Sequence, residues 1–313
     1  MKRNEATGKR NRQKGITHVS GQLHMGKSVV ISLIFLLLAT IACGEKEDTG
    51  KLNVVVSIVP LQEFVEKVGG EKVNVMVMVP PGASPHVYEP TPSQLRAVSA
   101  ADMYVKVGTP VEFEVQWLEK LLAMNRTMHV CDASGGIETI TVLHDREHMH
   151  KTPIDPHVWL SPRNARIMVE NICAGFVSID SRHADYYETN RDAYVVRLDS
   201  LDRTVIAMLD GKQNRQFLVY HPAWHYFAEA YGLEQVSVEA AGKEPTALSM
   251  QHIIENARVH DINVVFVSPQ FNTKSAEVIA REIGGRVVYI DPLNKDYVAN
   301  IETVAKALGE SME

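Results

Sequence analysis

Asp185–Leu209 reads DYYETNRDAYVVRLDSLDRTVIAML, a stretch with no proline and no glycine. Tyr187, Tyr194, Leu198, Leu201, Val205 and Met208 recur within it at spacings of three, four and seven, which sets them along one face of a helix. A helix of that length spans about 38 Å. Nothing in its composition matches a flexible linker, so the stretch predicts a rigid strut between two folded lobes.

Outward from the strut, both flanks follow one grammar. On the N-terminal side, Leu52–Val59 (LNVVVSIV), Val73–Val79 (VNVMVMV), Met103–Val107 and Thr127–Val130 read as short apolar strands. Helical stretches separate them at Leu61–Val68, Pro92–Ala100 and Val111–Met124. On the C-terminal side, Phe217–Tyr220, Gln235–Val238, Val264–Val267 and Val287–Ile290 are strands, with helices at Pro222–Tyr231, Ser249–His260, Ser275–Ile283 and Asn300–Leu308. Alternating strands and helices favour a parallel sheet covered on both faces. The predicted class is therefore α/β: two lobes, each a short, mainly parallel sheet flanked by helices, joined by one long rigid helix. The expected organisation is a signal segment at 1–42, a tether at 43–50, an N-terminal lobe at 51–182, the linking helix at 183–211 and a C-terminal lobe at 212–313.

The full chain of 313 residues is 45% hydrophobic and 22% charged, ordinary globular proportions that exclude collagen-like repeats and long-range disorder. Its net charge of −6 conceals two unlike parts. Residues 1–42 hold seven Lys or Arg against Glu5 alone, whereas the remainder carries 25 basic and 37 acidic side chains. An acidic body without a basic stripe argues against a nucleic-acid partner. Three cysteines, Cys43, Cys131 and Cys173, exclude a disulfide scaffold or a thiolate zinc cluster.

Val29–Ala42 (VVISLIFLLLATIA) is uncharged, follows Lys27 and ends at Ala42-Cys43-Gly44. It is short for a membrane span, and its basic flank, apolar run and small residue at the cut describe an export signal. Met25 is a candidate start for that signal. Cys43 directly after the small residue resembles a bacterial lipoprotein signal, although Thr40 and Ile41 replace the usual Leu and small residue; plain secretion is the other reading. The expected location is the outer side of the bacterial plasma membrane, with a lipid anchor at Cys43.

The exported part holds 11 of the 13 histidines. His86 lies in the loop after the second strand, His157 lies in DPHVWLSP, and His221 directly follows the strand FLVY. Asp291 directly follows VVYI. In open α/β sheets, ligands bind beyond the carboxyl ends of strands. Three imidazoles and one carboxylate in such places are a donor set for a divalent transition metal.

Five ordered stretches, GASPHVYEPTPSQ, DPHVWLSPRNA, VYHPAWHYFAEAYGL, GKEPTA and VYIDPL, run across residues 52–310. Together they resemble the zinc/manganese-binding class of ABC-transporter solute-binding lipoproteins. That resemblance implies two α/β lobes joined by one long helix, with a metal held in the cleft by His86 and His157 of the first lobe and His221 and Asp291 of the second. It implies an inner-membrane ABC permease as partner, a monomeric binding protein and no enzymatic activity. His225 stands where relatives usually carry a small residue, and it is expected outside the ligand set because Pro222 puts His221 at a helix cap with His225 a turn deeper.

Three nitrogens and one oxygen suit tetrahedral Zn(II). Manganese prefers more oxygen and a higher coordination number. Zinc is the expected cargo, with manganese and ferrous iron as alternatives. His144, His148 and His150 form a short histidine-rich stretch before His157, read equally as a metal-related loop or as a solvated one.

Two rival classes remain. A zinc hydrolase needs an open metal position and a general base; Glu89 and Glu244 could serve as bases only by accident of folding, and no HExxH or GxSxG is present. An adhesin or scaffold with a structural metal would unfold on chelation, unlike a transport site. Trp117, Trp159 and Trp224 are expected in packing roles, the last two walling the cleft, and Cys131 and Cys173 as buried small residues.

Overall fold

The computed structural model describes residues 50–142, 154–239 and 244–312. The segment read as an export signal, Cys43 and the stretch with His144, His148 and His150 lie outside the described residues.

Two four-stranded sheets share one plan. The first contains β1 (Leu52–Ile58), β2 (Val73–Val79), β3 (Met103–Lys106) and β4 (His129–Asp132), in the order β2-β1-β3-β4. The second contains β5 (Gln216–Val219), β6 (Glu234–Ser237), β7 (Val264–Val267) and β8 (Arg286–Tyr289), in the order β6-β5-β7-β8. Every pairing is parallel, with registers such as Val54↔Met103 and Phe266↔Val288. In each sheet the chain steps from the first strand to one side and then to the other. This creates a switch point at the strand carboxyl ends, between β1 and β3 and between β5 and β7.

The helices are α1 (Val59–Gly69), α2 (Pro92–Ala100), α3 (Glu112–Met124), α4 (Pro162–Ile179), α5 (Ala184–Leu209), α6 (His225–Tyr231), α7 (Ala247–Val259), α8 (Lys274–Glu282) and α9 (Tyr297–Ser311). α1 follows β1 without a loop, which Pro60 in its first turn permits. It stops at Gly70, whose φ of 52° and close approach to the Tyr186 hydroxyl leave no room for a side chain. α2 opens with a reciprocal capping box between Thr91 and Gln94. The Gln94 amide also donates to the carbonyls of Val77 and Met78, at 2.9 and 2.6 Å. This pins the loop carrying His86 to the end of β2.

The strut forms as α5, burying Tyr187, Tyr194, Leu198, Leu201, Val205 and Leu209. Met208 is partly buried and packs against the same core beside the buried Leu209. α5 is not the only tie between the lobes. The buried Glu63 of α1 accepts from the Tyr194 hydroxyl at 2.8 Å and from the Tyr297 amide, the first residue of α9, at 2.5 Å. Trp159 donates to the Pro292 carbonyl at 2.8 Å, and its own carbonyl accepts from the Tyr297 hydroxyl at 2.7 Å. One hydrophobic core runs through the first sheet, α4, α5 and α9 and reaches β5, α6 and β7. A second, smaller core lies between the second sheet and α7 and α8.

Several expectations need correction. α4 has no counterpart in the sequence reading. β4 begins at His129, not Thr127, and α6 begins at His225, not Pro222. His221 therefore stands in a bend ahead of the helix and is not its cap; its carbonyl accepts from the Ala223 amide at 2.9 Å. Cys131 and Cys173 are buried and free, and burial pushes the Cys131 thiol up to about 12. Among the described residues no helix is long and apolar enough to cross a membrane.

Candidate metal centre

Three of the four expected ligands meet. The rings of His86 and His221 lie 5.2 Å apart between centroids, those of His157 and His221 5.3 Å apart, and each pair is close to perpendicular. For a tetrahedral zinc with Zn–N of about 2.0–2.1 Å and each ring centroid about 1.1 Å behind its nitrogen, the centroids fall about 5.2 Å apart. The rings thus stand at the spacing of a coordination shell. They line a cavity with Glu112, Trp159 and Phe271. The enclosed space is small, about 30 Å³, with room for an ion.

Each imidazole rests on a carboxylate through Nδ1. His86 Nδ1 lies 3.1 Å from Glu112 Oε1, at the start of α3. His157 Nδ1 lies 2.9 Å from Asp155 Oδ1, which also accepts the His157 amide at 2.8 Å. His221 Nδ1 lies 3.3 Å from Glu239 Oε2, on the segment that continues β6. An ionised carboxylate can only accept, so Nδ1 carries the proton in all three rings and the lone pair is left on Nε2. Such carboxylate–histidine pairs orient a metal ligand and raise its basicity. Phe271 stacks on His221 with centroids 4.4 Å apart and planes at 22°, closing the site on the second lobe's side.

The fourth expected ligand is adjacent but turned. Pro292 and Leu293 line the cavity, while Asp291 Oδ1 accepts from the Gln270 amide at 2.8 Å and the Leu293 amide at 2.9 Å. Both bonds fall on Oδ1. Among the described residues no three His, Cys, Asp or Glu side chains are placed to hold an ion as they stand. The ring spacing meets the geometry of a shell, and the focusing of the donor atoms does not yet do so. Bringing three loops together requires the whole fold, whereas ring rotation and a turn of Asp291 about its side-chain bonds move the donor atoms locally.

The local charges are uneven. The hydrogen bond to Glu112 raises the His86 pKa above its ordinary 6.5 against the opposing effect of burial. Burial lowers that of His221, against the pull of Glu239. Burial alone would raise Asp155, but the charge and hydrogen bond of His157, together with the bond from His225, hold its carboxyl well below the usual carboxylate range.

His225 is outside the cavity lining, with Nδ1 2.6 Å from Asp155 Oδ2 and Nε2 2.9 Å from the Gln235 amide nitrogen. Glu89 and Glu244 are exposed and do not line the cavity. Trp159 and Trp224 are fully buried, and only Trp159 reaches the cavity wall. The sequence reading overlooked Glu112, Asp155 and Glu239. Asp155 is legible in DPH, two residues before its histidine; Glu112 and Glu239 reach their partners only through the fold.

Residues 54–311 match the zinc-uptake complex component A periplasmic family, ZnuA. The chain belongs to this family. It is 32% identical over 283 residues to the high-affinity zinc uptake system protein ZnuA of Bacillus subtilis (strain 168), covering 84% of this chain and 87% of that protein. It is 28% identical over 295 residues to the iron-binding protein YfeA of Yersinia pestis, covering 88% of this chain and 93% of that one. A crystal structure of ZnuA superposes with a TM-score of 0.79 at 38% identity, covering 84% of this chain and 100% of that chain. Members of the family are extracytoplasmic metal-binding proteins of ABC importers and not enzymes.

Proposed function

We propose that this chain captures Zn(II) in the cleft through His86, His157, His221 and Asp291 and delivers it to an inner-membrane ABC permease. It does so as a monomer anchored by lipid at Cys43. The observation that carries the reading is the convergence of three imidazoles at shell spacing, each anchored at Nδ1 by a carboxylate. Three nitrogens with one carboxylate oxygen match the donor preference of zinc over manganese. Ferrous iron is the second reading, favoured by the similarity to an iron-binding relative. Calorimetric titration with Zn(II), Mn(II) and Fe(II) separately tests the choice: zinc at one ion per chain and tightest is expected, and equal or tighter binding of iron overturns it.

Coordination requires unprotonated imidazoles, so protons compete with the metal. The raised pKa of His86 means that it takes up its proton while the pH is still above 6.5. His221, with its lowered value, keeps its lone pair to lower pH. Zinc affinity is therefore expected to start falling above pH 6.5 as the solution is acidified, and to steepen once His221 also protonates. Glu112→Gln removes the partner that raises His86 and moves the onset to lower pH. Competition titrations against a chelator across a pH series check both, and an onset that is unmoved in Glu112→Gln contradicts the assignment of Glu112.

A further inference from the structure

A chain of hydrogen bonds crosses from the second lobe to His157. It begins at the Trp224 backbone amide, which donates to Gln235 Oε1 at 2.7 Å. A backbone N–H can only donate, so this bond fixes the orientation of the Gln235 amide and turns its NH2 group toward His225 Nε2, 2.9 Å away. His225 Nε2 must then accept, which places the ring proton on Nδ1. From there it donates to Asp155 Oδ2 at 2.6 Å. The other oxygen, Oδ1, accepts both the amide and Nδ1 of His157. Asp155 is 3% exposed, and both of its oxygens are held by these three donors. Tyr226 of α6 steadies the same segment, donating to the Asp155 carbonyl at 3.1 Å and accepting from the Ile140 amide at 3.1 Å.

We propose that Gln235 and His225 are positioning residues that, through Asp155, set the tautomer and aim of His157 from the opposite lobe. The chain fixes the tautomer of His225, whose Nδ1–H holds Asp155 Oδ2; the carboxylate so held presents Oδ1 to Nδ1–H of His157 and leaves that ring's lone pair on Nε2. The carboxylate that orients the N-lobe ligand is thereby itself held from β6 and α6 of the second lobe. Without His225, Oδ2 of a buried carboxylate loses its donor, and the carboxylate can rotate off His157. The inference rests on the reading of His157 as a zinc ligand.

The test compares the chain with His225→Phe, which removes both ring nitrogens, and His225→Asn, whose side-chain amide can donate where Nδ1 did. Ring-15N histidine spectra of the metal-free protein report the His157 tautomer, with the signal assigned by its loss in His157→Asn. Calorimetry reports zinc affinity. The expected result is a mixture of His157 tautomers and an affinity about tenfold weaker in His225→Phe, with both restored toward the original in His225→Asn. A single Nδ1-protonated His157 and unchanged affinity in folded His225→Phe overturn the relay, as does a failure of His225→Asn to restore either. Should His225→Phe not fold, His225→Asn against Gln235→Leu decides by the same two readouts. If the unaltered chain binds no zinc, the functional reading fails by itself, and the tautomer spectra still judge the relay because they need no metal.

Discussion

His221→Ala is expected to weaken zinc binding on the order of a hundredfold or more. A four-donor zinc site is worth about 10–16 kcal/mol, so a single donor carries about 3 kcal/mol. His221 is the central ring, in contact with both His86 and His157, and the most deeply buried of the three. Its removal also leaves Glu239, 4% exposed, with a carboxylate facing a void. His86→Ala and His157→Ala act in the same direction. Calorimetry with thermal unfolding in parallel separates lost coordination from lost fold: binding should fall in all three variants, while the unfolding temperature changes little in His86→Ala, whose partner Glu112 is partly exposed, and falls in His221→Ala and His157→Ala, where Glu239 and Asp155 lose buried partners. Unchanged affinity in these variants would end the account of the site.

Glu63→Ala is expected to destabilise the protein by about 2–5 kcal/mol, because the Tyr194 hydroxyl and the Tyr297 amide each lose a buried partner at about 1–3 kcal/mol. Tyr194 and Tyr297 are 2% and 1% exposed, so water does not replace the carboxylate. For a chain of this size the unfolding temperature should drop by roughly 5–15 °C. Tyr194→Phe removes only the hydroxyl and leaves Glu63 its backbone donor, so its cost should be about 1 kcal/mol. Thermal denaturation of the two variants checks the order. Equal, small effects would mean that the Glu63 junction does not tie α1, α5 and α9 together. The same junction bears on motion. With α5, Glu63 and the Trp159–Pro292 bond all crossing between the lobes, closure is confined to small tilts and loop shifts, as in shear motion.

The architecture was legible because its signals are local. Apolar runs such as VNVMVMV and VVFV are strands at the residues where they read as strands. The unbroken amphipathic stripe of Asp185–Leu209 is a helix over essentially its whole length. α4 was equally legible and was passed over: in Pro162–Ile179 the buried Ala165, Met168, Val169, Ile172, Cys173 and Phe176 recur at the three- and four-residue spacing of one helix face, with Arg163, Arg166 and Glu170 off it. Boundaries slipped where a strand end and the following turn share apolar residues, as at Val219-Tyr220-His221. The three histidines stood out by their places after strands or beside prolines and were grouped by the family-like stretches around them; the structure brings their rings together. Of the supporting carboxylates, Asp155 is legible beside His157, but Glu112, 26 residues from His86, and Glu239, 18 from His221, are not. His225 illustrates the limit best. Its spacing from His221 suggested at most a pair on one helix, while its partner is 70 residues away in the other lobe.

Diffraction from crystals grown with zinc, recorded on both sides of the zinc absorption edge, tests the central claim most directly. The account predicts one anomalous peak in the cleft, about 2.0–2.1 Å from a nitrogen of each of His86, His157 and His221 and about 2.0–2.2 Å from an oxygen of Asp291. A peak held by other side chains, or a cleft without one in zinc-saturated protein, would contradict it.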